Sequence, residues 1–185
     1  MMKSLSIKQA ATALTMGEVI AYPTEAVWGL GCDPWQEKAA QQLLTIKERP
    51  VNKGLIIVAA NLEQIAPLIA PLSFQQQETL KASWPGHTTW LIPDSKNWLP
   101  YWIKGDFTSV AVRVSAHPIV SQLCLEFGKP IVSTSANKAG DPPLDEQGLQ
   151  HSLGSNLGGI VRGALGEQLR PSVIKDLVSG RIVRQ

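Results

Sequence analysis

Cysteine, histidine and long apolar runs are scarce in this 185-residue chain, and each shortage argues against a class of function. The two cysteines, Cys32 and Cys124, lie far apart with no C-x-x-C spacing, so neither a zinc ribbon nor a disulfide scaffold is indicated. They read as buried free thiols of a reducing cytoplasm, and neither has a local basic partner that would make it a nucleophile. The histidines, His87, His117 and His151, share no ligand spacing, which leaves metal-dependent hydrolysis unsupported. No apolar run approaches the ~20 residues of a membrane span. The polar stretch from Met1 to Met16 lacks the apolar core of a secretory signal. The expectation is a soluble, cytoplasmic protein with no membrane partner. Gly29-Leu30-Gly31 lacks the third glycine of a dinucleotide fingerprint, and no P-loop occurs. Charge is modest too: 17% of residues, with a net charge of +2. That balance does not by itself imply nucleic acid, and any basic surface has to come from clustering.

What is present suits a globular protein. The chain is 44% hydrophobic and long enough for one domain, residues 1–185, with a real core. Ile7, Ala10, Ala11 and Leu14 follow helical spacing, with Gly17 as the stop. Val19 to Tyr22 reads as a buried strand running into Pro23-Thr24-Glu25, where proline lacks the amide a ladder needs. Thr24 is therefore expected at a strand end with a free hydroxyl. Trp28 to Gly31 reads as a flexible crossing. Asp33 reads as a helix cap with Pro34 at the first position, and the helix is expected to end near Glu48, before Pro50. Strands are expected at 55–59, 88–92, 110–114 and 130–132, helices at 75–83 and from Pro118 to Gly128, and an irregular loop over 93–106. Asp145 caps a further helix, and Ser172–Lys175 with Arg181–Arg184 forms a closing hairpin. Helices and strands interleave without strict alternation, so the expected fold is α/β: a mixed, twisted sheet flanked by helices.

Three stretches carry chemistry. Lys47, Arg49 and Lys53 place three cations on the short connection between a helix and the strand at Leu55. Such a cluster is commonly a solvated turn, but a loop at a sheet edge is also where α/β proteins hold anionic ligands. Ser133-Thr134-Ser135-Ala136-Asn137 follows a strand and offers three hydroxyls and an amide, more than a turn requires, suited to a phosphate, a ribose or an adenine edge. Arg113 sits among valines and needs a nearby carboxylate, from Glu25 or from a substrate.

Taken together these stretches resemble the YrdC/TsaC family, the threonylcarbamoyl-AMP synthases. The matching residues are Tyr22-Pro23-Thr24-Glu25, Gly29-Leu30-Gly31-Cys32-Asp33, Lys47-x-Arg49-Pro50, Trp84-Pro85-Gly86, Val110 to Val114, His117-Pro118 and Ser133 to Asn137. They occur in family order, cover most of the chain and correspond to the short, one-domain form. The resemblance implies a YrdC-like fold and a nucleotidyltransferase that makes L-threonylcarbamoyladenylate and pyrophosphate from L-threonine, bicarbonate and ATP. The product would feed N6-threonylcarbamoyladenosine formation at adenosine 37 of tRNAs reading codons that begin with A, through downstream threonylcarbamoyl-transfer proteins. Carried over by position, Lys47 and Arg49 would contact the phosphates, with Lys53 beside them. Thr89, Ser133, Ser135 and Asn137 would be ATP-site residues. Thr24 and Arg113 would form the threonine pocket, with Arg113 facing the threonine carboxylate. Mg2+ would travel with ATP. Such a transfer needs positioning and charge neutralisation more than an enzyme nucleophile. The sequence departs from relatives at His87, where proline is common, and at Lys53-Gly54, where the long form tends to have Asn-Pro. A rival reading is a non-catalytic RNA-binding or ribosome-maturation factor that takes tRNA or double-stranded RNA on its basic loop.

Overall fold

The computed structural model describes residues 2–138 and 140–184. Helix α1 (Ile7–Thr15) opens with a capping box, in which the Ser6 hydroxyl accepts from the Gln9 amide and the Gln9 side chain accepts from that of Ser6. Strands β1 (Ile20–Pro23) and β2 (Trp28–Gly31) form an antiparallel pair. Helix α2 (Glu37–Ile46) is followed by a 3-10 turn at Val51–Lys53 and strand β3 (Ile56–Ala59). Then come α3 (Ala66–Ile69), α4 (Phe74–Ser83), β4 (Thr88–Pro93), α5 (Tyr101–Lys104), β5 (Ser109–Val114) and α6 (Pro118–Phe127). The chain continues through β6 (Ile131–Val132), β7 (Thr134–Ser135), α7 (Glu146–Leu153) and β8 (Gly159–Ile160), and closes with the hairpin β9 (Val173–Asp176) and β10 (Ile182–Arg184).

The α/β expectation holds, with the strands divided between two mixed sheets. One has the order β7-β2-β1-β8, the other β10-β9-β4-β5-β3-β6. Period-two alternation assigns residues to two cores. Ile20, Tyr22, Val58 and Ile131 join Leu14 of α1 and Val120 and Leu123 of α6. Val19, Ala21, Ile57 and Val132 point the other way, toward Leu43 and Leu44 of α2 and the strand residues Ile92 and Val112.

Three expectations change. Trp28 to Gly31 is a strand, and the glycines are the reason. A Cβ at Gly31 would stand 2.5 Å from the Val132 carbonyl oxygen and 2.7 Å from the Tyr22 ring, and one at Gly29 would stand 3.2 Å from that ring. Glycine at alternate positions clears one face for the fully buried tyrosine, while Trp28 and Leu30 pack on the other. Asp33 makes a turn instead of capping a helix. Its carboxylate accepts from the Trp35 amide at 3.0 Å and pairs with Lys129 at 2.7 Å, and α2 starts at Glu37. The stretch 93–106 includes one helical turn, α5, whose Trp102 indole donates to the Pro34 carbonyl.

One passage between the two sheets takes a single residue. β6 belongs to the six-stranded sheet and β7 to the four-stranded one, and Ser133 is the step between them, its amide donating to the Ile56 carbonyl at 2.8 Å. A second crossing, residues 161–172, runs without regular structure from β8 to β9. Both crossings border the same hollow.

Candidate functional site

A cavity of about 480 Å³ opens between the sheets. Lys47, Arg49, Lys53, Thr24, Arg113, Ser133, Ser135 and Asn137, drawn from four separated stretches of sequence, all line it. The size is within the range of small-molecule sites.

On one wall, α2 ends at Lys47, its C-cap, where a cation complements the helix dipole. The chain then turns sharply, with Glu48 at a φ of 49°. The Lys47 ammonium donates to the carbonyls of Ser135, at 2.6 Å, and Asn137, tying the cation loop to the hydroxyl-rich crossing. Arg49 closes its own loop, Nε donating to the Gly54 carbonyl at 2.9 Å and Nη2 to that of Lys53 at 3.0 Å. Lys53 is exposed on the 3-10 turn. Among the described residues no carboxylate lies within ion-pair distance of Lys47, Arg49 or Lys53. Burial, with Arg49 beside it, brings the Lys47 ammonium down to about 8. This wall therefore carries positive charge that the protein's own acids do not cancel, the condition for holding an anion.

The opposite wall is built differently. Arg113 of β5 and Glu25, just beyond β1, are both buried and form an ion pair. The Ser115 hydroxyl donates to Glu25 Oε1 at 2.7 Å, and the Ala116 amide to the same oxygen at 3.3 Å. Burial pushes the Glu25 carboxyl up, but Arg113 and Ser115 outweigh it and the net shift is downward. Thr24 lies at the strand end, but its hydroxyl is not free: it donates to the Val27 carbonyl at 2.6 Å, keeping its lone pairs to accept.

Thr89 is set apart from the other predicted residues. It is fully buried, its hydroxyl bonded to that of Ser172 at 2.7 Å, and it does not reach the cavity wall; Ser172 does. Ser172 and Arg184, from the closing hairpin, were missed by motif reasoning. The one sequence signal for Arg184 is the excess of basic residues in the final stretch, where Arg162, Arg170, Lys175, Arg181 and Arg184 outnumber Glu167 and Asp176. Arg184 Nη2 donates to the Ser172 carbonyl at 3.0 Å, and burial, with Arg49 and Arg113 nearby, pulls its guanidinium down. His87 also lines the cavity, its Nε2 bonded to the Arg170 carbonyl at 2.7 Å.

Other chemistries find little here. Burial pushes both thiols up, that of Cys124 to about 12, and both side chains are buried in the cores. Among the described residues no group of three or more His, Cys, Asp or Glu is placed to hold a metal ion. No described helix is long and apolar enough to cross a membrane.

The Sua5/YciO/YrdC family model, described as "Telomere recombination", matches residues 12–185. The threonylcarbamoyl-AMP synthase of Cellvibrio japonicus is 48% identical over 179 residues, 96% of this chain and 94% of the relative. That of Pseudomonas paraeruginosa is 48% identical over 185 residues, 100% and 99%. Among solved structures, P. abyssi Sua5 complexed with L-threonine superposes with a TM-score of 0.86 at 31% identity, over 95% of this chain and 52% of that one, so the chain spans about half of that longer protein. E. coli YciO shares the fold, with a TM-score of 0.82 at 24% identity.

Proposed function

The chain belongs to the Sua5/YciO/YrdC family, and we propose that within it the chain is an L-threonylcarbamoyladenylate synthase: a nucleotidyltransferase that forms the adenylate and pyrophosphate from L-threonine, bicarbonate and ATP. The observation that carries this reading is the asymmetry of the cavity. One wall leaves its cations unneutralised and suits a polyphosphate, while the other presents an arginine fixed by a buried carboxylate and suits a small anion of defined geometry. The names of the curated relatives and the threonine complex of Sua5 support the same assignment.

In this reading Lys47, Arg49 and Lys53 receive the ATP phosphates, and Ser133, Ser135 and Asn137 line the nucleotide. Thr89 acts from behind Ser172. Thr24 and Arg113 hold threonine, Arg113 at its carboxylate. The threonine amine and bicarbonate give a carbamate with loss of water, and the carbamate oxygen attacks the α-phosphorus as pyrophosphate leaves. The chain's part is to align the two reactants and to offset the negative charge gathering between them. Mg2+ would accompany ATP, with lining hydroxyls such as those of Ser133 and Ser135 available to it and no carboxylate among the described lining residues. The protein acts in the cytoplasm as one domain. It hands its product to threonylcarbamoyl-transfer proteins that modify adenosine 37 of tRNAs reading codons that begin with A.

The test is pyrophosphate release from ATP with threonine and bicarbonate present or withheld. Release that requires both supports the synthase. The rival, an RNA-binding factor using the same basic loop, predicts no threonine-dependent release and RNA affinity that falls steeply with salt.

A further inference from the structure

We infer that Glu25 is a positioning residue for Arg113: it sets the direction in which the guanidinium meets the substrate and does not itself touch it. The inference rests on the proposed reading that Arg113 faces the threonine carboxylate.

Four observations carry it. Arg113 lines the cavity, whereas Glu25 and Ser115 do not, so the carboxylate stands behind the arginine. Both members of the pair are buried, and Glu25 Oε2 meets Arg113 at Nη1, which is enclosed together with Nε, so the pair takes an enclosed edge of the guanidinium. Glu25 is itself fixed at the carboxylate, where the Ser115 hydroxyl and the Ala116 amide converge on Oε1. The Ser115 hydroxyl oxygen in turn accepts from the His117 amide at 3.1 Å, so it is anchored to the start of α6.

The fourth observation is the crossing strand of chain at 161–172. The Gly166 amide donates to the Thr24 carbonyl and the Gln168 amide to that of Glu25, both at 2.9 Å. The approach is close enough that a Cβ on Gly166 would stand 2.7 Å from the Glu25 carbonyl oxygen and 2.8 Å from its Cα. Thr24 and Glu25, adjacent in sequence, are thus clamped by the same segment, one at the cavity wall and one behind it. Ion pairs buried for stability alone are often replaceable by apolar packing. A pair held at the carboxylate by two donors and at the backbone by a strap, with only the arginine reaching the ligand space, is built to hold a direction.

The experiment compares KM for threonine with KM for ATP, in the pyrophosphate assay, for the wild-type chain, Glu25→Gln and Ser115→Ala, each shown folded by circular dichroism. Glu25→Gln keeps the shape but offers an amide N–H to the guanidinium in place of an oxygen. It is expected to raise KM for threonine about tenfold or more, with KM for ATP within about twofold of wild type. A folded Glu25→Gln whose threonine KM stays within about twofold, or whose two KM values rise together, overturns the inference. If Glu25→Gln does not fold, Ser115→Ala decides. It keeps both charges and removes one tether, and a threonine-selective rise of about threefold is expected; an unchanged threonine KM overturns the inference. A wild-type chain without threonine-dependent release overturns the synthase reading and this inference with it. A wild type that behaves as expected beside an indifferent Glu25→Gln overturns only the role of Glu25.

Discussion

Arg49 and Arg113 face the same cavity from opposite conditions. Arg113 is buried, paired with an acid and held in one orientation. Arg49 gives two of its N–H groups to carbonyls of its own loop and, with Lys47 and Lys53, keeps its charge unpaired by a carboxylate among the described residues. One residue type thus serves two purposes. A guanidinium neutralised from behind recognises by geometry, because its field is short-ranged and its fork is aimed. Cations held by neutral carbonyls keep an uncancelled charge for a polyanion, and the planar fork of Arg49, which lysine cannot replace, holds the loop that presents it.

The comparison can be broken in several places. The largest expected effect is at the wall proposed for threonine. A site that pairs a substrate hydroxyl should reject valine, the isostere lacking it, by on the order of 10⁴-fold in kcat/KM. Comparable pyrophosphate release with valine would remove threonine from this wall. Next is Arg113→Ala, which leaves the Glu25 carboxylate buried without its partner. A loss of about 3–5 kcal/mol in folding stability is expected, measured by urea denaturation at pH 7. Because the folded-state carboxyl of Glu25 is held below its ordinary value, the wild-type pair contributes fully above the unfolded carboxylate pKa of about 4.3. That contribution fades as pH falls through the lower folded value, so the gap between variant and wild type should narrow in acid.

A smaller effect belongs to the wall proposed for the phosphates. The Lys47 ammonium titrates near 8, brought down by burial and by Arg49. Its charge is therefore present below that pH and lost above it, and KM for ATP should rise as pH passes through 8, with the rise abolished in Lys47→Met. The stability effect runs the other way. An unfolded lysine holds its proton to about 10.4, so the cost of burying the charge is full below 8 and is relieved as pH climbs from 8 toward that value. The smallest effect is expected from Cys32→Ala and Cys124→Ala. Both should leave turnover intact and cost about 1 kcal/mol each in stability, as packing residues would.

How much of this was legible in the sequence depended on whether the information was local. The cation loop, the serine-rich crossing and the closing hairpin are each written in a few adjacent residues, and the structure has them where expected. Arg113 announced its need for a carboxylate, because a lone charge on a strand of valines cannot stand, but only the tertiary fold selects Glu25. The glycines at 29 and 31 misled because composition suggested a flexible crossing. Their spacing of two was the strand signal, and its meaning depends on the ring of Tyr22 on the neighbouring strand. Thr89 failed for a similar reason. β4 pairs with β9 in parallel across a long stretch of chain, and that pairing puts Ser172 between Thr89 and the cavity. Nothing near residue 89 records it.

The division of labour between the walls is tested most directly by measuring KM for threonine and for ATP in Arg113→Lys and Arg49→Lys side by side. Each substitution keeps the charge and removes the planar fork. The expected result is a crossed pattern. Arg113→Lys should raise KM for threonine by an amount worth about 1.5–3 kcal/mol and leave KM for ATP nearly unchanged, while Arg49→Lys should act on ATP and spare threonine. Both substitutions acting on the same substrate, or Arg49→Lys and Arg49→Ala alike showing wild-type kinetics, would contradict the account.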